Sequence, residues 1–282
     1  MTPISKEQLP PPPPLIIEPT SGWLALQLDR VWAYRELLYF LVWRDLKVRY
    51  KQTLLGVAWI ILQPLISVAI FTILFGNLLG VPSGDVPYPL FAYAALLPWN
   101  YFAGSLTRAS TSLVGNANLI TKVYFPRLII PISGVLSGLA DLAIAFVVFL
   151  GLLLLYRQPL TLAALLLPLF LLLAMATALG FGLWLAALNV RYRDVNYLVP
   201  FLIQVWMYVT PVIYGSDLIP ARFRFLLGLN PMTGVVEGFR WALLGQAPPG
   251  NLFFLSVLIS LAVLVSGAAY FRRTERTFAD IV

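Results

Sequence analysis

The stretch WRDLKVRYKQTLLGVAWIILQPLISVAIFTILFGNLLG, residues 43–80, decides the fold. Five charged residues, Arg44, Asp45, Lys47, Arg49 and Lys51, fall within eight positions, and no further charge occurs until Asp85. The uncharged part, residues 56–79, rises about 1.5 Å per residue as a helix and would reach roughly 36 Å. About 20 apolar residues suffice to cross a bilayer. The stretch therefore reads as a basic flank at a membrane surface, followed at once by a spanning helix.

The rest of the chain repeats that pattern. Of 282 residues, 60% are hydrophobic and 11% charged, against roughly 25% charged in a soluble domain. A soluble core of this length cannot hide so much apolar surface. Further uncharged runs occupy residues 88–106, 128–155, 160–189, 195–214 and 252–271, giving six spans and both termini on one side. Lys and Arg gather on the cytoplasmic side of membrane proteins. With the N-terminus inside, the inner segments hold Lys6, Arg30, Arg35, Arg44, Lys47, Arg49, Lys51, Arg108, Lys122, Arg127, Arg191, Arg193, Arg272, Arg273 and Arg276, and the outer loops hold Arg157, Arg222, Arg224 and Arg240. The expected fold is an all-α integral membrane protein with six transmembrane helices and both termini in the cytoplasm. The net charge of +7 then reflects this bias and contact with anionic lipid, with no need of a nucleic-acid partner.

Residues 23–53 have a helical period but are not apolar enough to span. Arg44, Lys47 and Lys51 lie within about 60° of one another at 100° per residue, and Trp32, Tyr34, Tyr39, Trp43 and Tyr50 suit a headgroup level. An amphipathic interfacial helix is expected, with a bend or break because Arg44 falls near the direction of Leu37 and Leu41. Ahead of it, residues 1–22 carry the run Pro10 to Pro14, which favours an extended leader and lacks the order of a signal peptide. Residues 54–282 form the six-span domain.

Between the spans, two segments suggest further helices. On the inner side, Asn118 can cap a short helix through Leu119, Ile120, Thr121, Lys122, Val123, Tyr124 and Phe125, which Pro126 would stop. It reads as a docking element or as an ordinary connector, and the inner loop with Arg191 and Arg193 has the same ambiguity. On the outer side, Pro220 can open PARFRFLLGL, and Asn230–Pro231 can cap and open NPMTGVVEGFRWALLG. Neither is long enough to span. They suit re-entrant or interfacial helices forming an outer lid, or a plain amphipathic hairpin.

Much chemistry is excluded. There is no Cys and no His, which removes disulfides, thiolate sites and most intramembrane acid–base or metal catalysis. No GxxxxGK[ST] phosphate loop occurs. Asp141 sits near the middle of a span, where a charge costs about 2.5–3.5 kcal/mol on insertion scales. It is expected to be neutral or hydrogen-bonded to a neighbouring helix; a proton relay is the alternative. Trp59, Trp99, Asn100, Tyr101, Phe102, Gln204, Trp206 and Tyr208 offer aromatic faces and amides inside spans. They could line a path for a sugar chain, or pack between helices and against lipid.

In order along the chain, RDLKVRYKQTLLGVAWIILQPL, TKVYFPRLIIP, LNVRYRDV, TPVIYGSDLIP and LNPMTGVVEGFR resemble the membrane subunit of bacterial polysaccharide ABC exporters, the Wzm-like permeases, with teichoic-acid exporters close by. The resemblance runs from about Trp32 to the C-terminus. It implies a permease, not an enzyme, in the bacterial inner membrane. It further implies a second copy of the chain and a separate ATPase dimer that binds ATP and Mg, with no cofactor in this chain. The implied substrate is an undecaprenyl-linked polysaccharide of O-antigen, capsule or teichoic-acid type. Arg44, Lys47, Arg49 and Lys51, with Tyr50, Leu55 and Gly56, would border the entrance for a lipid diphosphate. Asn118 through Phe125, with Arg191 and Arg193, would meet the ATPase, and residues 220–245 would form the outer gate. An ABC exporter of a small lipid or drug shares this fold. A secondary transporter would need no ATPase, but the chain shows no pair of inverted broken helices.

Overall fold

The computed structural model describes residues 28–51, 56–275 and 278, and all regular structure among them is helical. The proline-rich leader, residues 23–27 and Leu55 lie outside the described residues. The region expected at the interface contains two helices, α1 (Leu28–Ala33) and α2 (Arg35–Lys51), broken at Tyr34. Then follow α3 (Gly56–Phe71, continued by a wider turn over Thr72–Leu78), α4 (Tyr88–Gly115), α5 (Ala117–Lys122) and α6 (Ile129–Leu155). The chain closes with α7 (Leu167–Arg191), α8 (Val195–Val209), α9 (Arg224–Leu229), α10 (Pro231–Leu244) and α11 (Leu252–Glu275).

Among the described residues, four segments are long and apolar enough to cross a membrane: Ala58–Leu78, Ile129–Leu155, Leu162–Arg191 and Leu252–Glu275. The protein is thus an all-α, multi-pass membrane protein. The other two expected spans take different forms. The second runs nine residues beyond its expected end at Leu106, through TRASTSLVG to Gly115. Its hydroxyls do not break the helix, because they bond back to its own carbonyls: Thr107 to Ala103, Ser110 and Thr111 to Thr107, and Ser112 to Ala109. The fifth is shorter than expected and stops at Val209. Thr210 precedes Pro211, which disfavours helical backbone, and adopts ψ 138. At 15 residues α8 is about 22 Å long, less than the roughly 30 Å hydrocarbon thickness.

α4 is the centre of the molecule. It packs on α6, α7 and α10, with α3 and α8 alongside, and most of its side chains from Tyr88 to Leu106 are buried. In hydrocarbon there is little hydrophobic drive between helices, so close backbone approach matters more. α7 and α11 achieve it with glycine. A Cβ on Gly267 would lie 2.3 Å from the Gly180 carbonyl oxygen, and one on Gly180 would lie 2.7 Å from the Leu264 nitrogen.

Gly267→Ala is therefore expected to force these helices apart and cost about 1–3 kcal/mol, read as a lower thermal unfolding midpoint in detergent. Gly151→Ala is the control, since nothing lies within 4 Å of its Cβ position; its midpoint should stay unchanged.

Candidate functional site

Asp141 organises the first part of the site. It projects from α6 twelve residues after Ile129, roughly 18 Å along that helix. Its carboxylate accepts from Arg49 Nη1 at 2.5 Å, from Tyr50 Oη at 2.7 Å and from Arg108 Nη1 at 3.3 Å. Arg49 and Tyr50 close α2 and Arg108 belongs to α4, so one carboxylate joins three helices. The expectation of a bonded Asp141 holds, and its partners are two cations and a phenol. Burial, and then the bond to Asp141, push the Tyr50 phenol up to about 12, so it remains a donor. Arg108 also donates to the Gly134 carbonyl at 2.9 Å and to Ser105 Oγ at 3.2 Å. Gly134 and Gly138 make room for it: a Cβ on Gly138 would sit 2.2 Å from Arg108 Nη2.

This contact also fixes the course of α2. Leu41 is buried in one cluster with Leu113, Ile120, Phe125 and Ile129, and eight residues later Arg49 meets Asp141. α2 therefore climbs along α6. Tyr39, Phe40, Trp43 and Val48 remain on its open side, and Trp32 of α1 is exposed as well. Of the expected entrance residues, Arg49 and Tyr50 are engaged by Asp141, and Arg44 pairs with Asp45 at 2.9 Å. Lys47 and Lys51 have no carboxylate within bonding distance among the described residues. Gly56 opens α3.

The expected path residues separate into two groups. Trp99 (2% exposed), Tyr101 and Phe102 are core residues of α4, and their rings pack between helices. Trp206 is wedged edge-on between Phe102 and Phe181, and its indole donates to Asn230. The reason is neighbourhood: α4 is surrounded by other helices, so most of its aromatics have nowhere to point but inward. Trp59, Tyr208, Asn100 and Gln204 are exposed. So is Gln63, on α3. The side-chain amides of Gln63, Asn100 and Gln204 have no hydrogen-bond partner among the described residues, although each lies within an apolar helix. α3 and α8 both flank α4, so three neighbouring helices each present one open amide.

At the other end of α8, Arg240 of α10 takes over where the helix breaks. Only 3% exposed, it donates to the carbonyls of Pro211 (2.7 Å), Val212 (2.6 Å), Tyr214 (3.1 Å) and Phe91 (3.3 Å). Its guanidinium carbon lies 3.6 Å from the centre of the Phe91 ring. Tyr88 adds a bond to the Ile213 carbonyl at 2.7 Å. Both outer helices form close to where their prolines place them. α10 is capped by Asn230, which accepts from the Met232 amide at 3.1 Å, and ends at Gly245 with φ 69. Sequence reading counted Arg240 and Arg108 as loop charges and missed both roles. The available signals were Pro211, which breaks a span, and Asp141, which needs a cation.

Between α4 and α6, α5 covers Ala117–Lys122, and the residue at its N-cap is Asn116. Asn118 lies within the helix, so it does not cap it. Leu119 is partly buried and Ile120 buried against the α2–α6 cluster, while Thr121 bonds to the Ala117 carbonyl. Val123 is extended backbone after the last turn. Tyr124 is 67% exposed, but Phe125 is 5% exposed and part of that cluster. Phe125 is therefore a core residue of this chain. Arg191 stacks on the exposed Tyr192, and Arg193 is exposed.

Residues 36–244 match the family model described as ABC-2 type transporter. The chain is 30% identical over 249 residues to an O-antigen export system permease protein, RfbA, of Klebsiella pneumoniae, covering 88% of this chain and 95% of that protein. It is 28% identical over 256 residues to RfbA of Myxococcus xanthus, covering 89% and 97%. It is 24% identical over 240 residues to the polysialic acid transport protein KpsM of Escherichia coli, covering 82% and 91%.

Arg240→Ala would leave several carbonyls without donors, each costing about 1–3 kcal/mol when buried. The expected result is a loss of more than about 3 kcal/mol, read as a lower unfolding midpoint and new proteolysis at residues 210–216. Arg240→Lys, with a point charge in place of the planar fork, should recover part of it. Unchanged stability in Arg240→Ala would show that water replaces the guanidinium.

Proposed function

The chain belongs to the ABC-2 type transporter family, and from that premise we propose that it is the membrane-spanning half of an ATP-driven exporter for a polysaccharide carried on a lipid diphosphate. Two copies enclose the path in the bacterial inner membrane, and a separate ATPase dimer binds ATP and Mg beneath them. The observation that carries this reading is the similarity to two O-antigen permeases over nearly their whole length. The similarity to a polysialic acid transport protein also favours a polymer over a small lipid or drug.

In this arrangement α4 and α8 complete six spans, with both termini in the cytoplasm. The path runs past Gln63, Asn100 and Gln204. An unpaired amide is costly against lipid, but it suits a polar sugar chain or the water around it. Tyr208 and Trp59 add exposed rings that can stack on sugar faces. α9 and α10 close the outer end. Lys47 and Lys51, with Arg44, attract the lipid diphosphate at the inner entrance, beside Gly56. The ATPase meets α5 through Val123 and Tyr124, with Arg191, Tyr192 and Arg193 beside them.

The division of labour is tested first. Purified by itself the chain should hydrolyse no ATP, since it lacks a phosphate loop; turnover free of contaminating ATPase would overturn the proposal. For the docking surface, Val123→Ser with Tyr124→Ala should weaken copurification of the ATPase. Truncating a buried interface anchor costs about 2 kcal/mol or more, roughly 30-fold in affinity. Phe125→Ala should instead destabilise the chain by about 3–5 kcal/mol. Full retention of the ATPase by the Val123/Tyr124 variant would move the interface elsewhere.

The entrance is tested by Lys47→Gln with Lys51→Gln, which leaves Arg49 on Asp141. Surface polysaccharide should fall and lipid-linked polymer should accumulate inside, in a normally inserted chain. Wild-type export would leave these lysines as a membrane flank.

A further inference from the structure

Hydroxyls in the helices of this chain are satisfied locally. Thr72, Thr107, Thr111, Thr177 and Thr210 each donate to the carbonyl four residues earlier. Thr233, in the first turn of α10, does not. It is 4% exposed, and its Oγ1 has no partner among the described residues, an unfavourable state for a buried hydroxyl. That oxygen borders a cavity of about 40 Å³ between the segment after α8, α9, α10 and the start of α11. A water needs about 10–15 Å³ of such space, so there is room for an ion with a water or two. The polar walls are Thr233 and Glu237, one turn apart on α10, with Ser216 and with Ser256 of α11; Leu227 and Phe253 are apolar walls.

Glu237 has the complementary problem. Its carboxylate accepts a bond from Ser216, and no Lys or Arg lies within bonding distance of it among the described residues. The nearby cations are committed to carbonyls. Arg240 donates to those of Pro211, Val212, Tyr214 and Phe91. Arg224 lines the cavity from α9, is exposed, and donates to those of Ile219 and Asp217. Burial pushes the Glu237 carboxyl up, the Ser216 bond and the charge of Arg240 oppose this, and the exposed Asp217 adds to it. A buried carboxylate in this position takes up either a proton or a cation from solution.

We propose that the cavity binds a monovalent alkali cation on the Glu237 carboxylate and the hydroxyl oxygens of Thr233, Ser216 and Ser256. Oxygen donors suit a hard cation. Ser216 donates its proton to Glu237, and Ser256 donates to the Gly228 and Asn230 carbonyls, which leaves their lone pairs for the ion. One carboxylate neutralises one positive charge, whereas a divalent ion would keep an unpaired charge in a buried place. Among the described residues there is also no group of three His, Cys, Asp or Glu side chains of the kind that holds a metal ion. The bound cation ties the segment after α8 to α10 and α11, and so strengthens the end of the molecule where α8 breaks. This inference stands on the cavity and is independent of the exporter reading.

The test uses the full chain in detergent, with sodium chloride replacing N-methylglucamine chloride at constant ionic strength. It reads the thermal unfolding midpoint and the linewidth of the sodium nuclear resonance. A carboxyl whose folded value is raised contributes stability while protonated and loses that contribution as pH rises through the folded value. Sodium should therefore raise the midpoint to saturation at mildly alkaline pH, and do so far less at acid pH, where the proton holds the carboxyl. Glu237→Gln should raise the half-saturating sodium concentration at least about tenfold, the loss usual even for a group that only supports a metal ligand. Thr233→Val keeps the shape and removes the unpartnered hydroxyl. It should blunt the sodium response while leaving the sodium-free midpoint equal or higher. A similar response to potassium also supports an alkali-cation site.

The proposal is overturned if sodium changes neither the midpoint nor the linewidth of the unmodified chain, which would assign Glu237 to a proton alone. It is equally overturned if the response persists undiminished in folded Glu237→Gln or Thr233→Val. Should Glu237→Gln not fold, Thr233→Val decides alone.

Discussion

Hydrocarbon offers no hydrogen-bond partners, and this fold depends on how its broken backbone and its charges are satisfied from within. Arg240 is the clearest case. α8 stops short of the membrane thickness because Thr210 stands before Pro211, and the following carbonyls lose their helical donors. One buried guanidinium supplies bonds to Pro211, Val212 and Tyr214, and a fourth to Phe91. It thereby ties the end of α8 to α10 and to the start of α4. This end of the molecule is held by that side chain and by Asn230, which links Trp206, Thr210 and the first turn of α10.

The inner half follows the same rule with a different residue. Asp141 would be costly alone in α6, and Arg49 and Arg108 make it tolerable. The consequence is architectural as well as electrostatic. α2 is anchored at one end by Leu41, in the cluster that also holds Ile120 and Phe125, and at the other by Arg49 and Tyr50. A single helix therefore connects the short inner element α5 with the middle of α6 and α4. Any displacement of α5 by a bound ATPase would act on a side-chain cluster that also seats α2.

α4 is divided between a packed core and a narrow open strip. Most of its faces are covered by α6, α7 and α10, and its aromatics fill those contacts. What stays open carries Asn100, and Gln63 on α3 and Gln204 on α8 are likewise exposed.

The sequence by itself determined the solvent. Long uncharged runs bounded by Lys and Arg require a bilayer. Local signals also placed the outer helices: Asn230–Pro231 begins α10 and Gly245 ends it, because capping and positive φ are properties of a few adjacent residues. Partnerships across the fold were beyond its reach. Nothing near Asp141 in the chain announces Arg49, 92 positions away, or Arg108, 33 positions away. Phe125 and Tyr124 are neighbours in sequence, yet one is core and the other surface, since the extended backbone after Lys122 turns successive side chains to opposite sides. Trp99 and Asn100 divide in the same way on α4. Periodicity tells which residues share a face of a helix, but only the packing of the other helices decides which face is covered and which is left open.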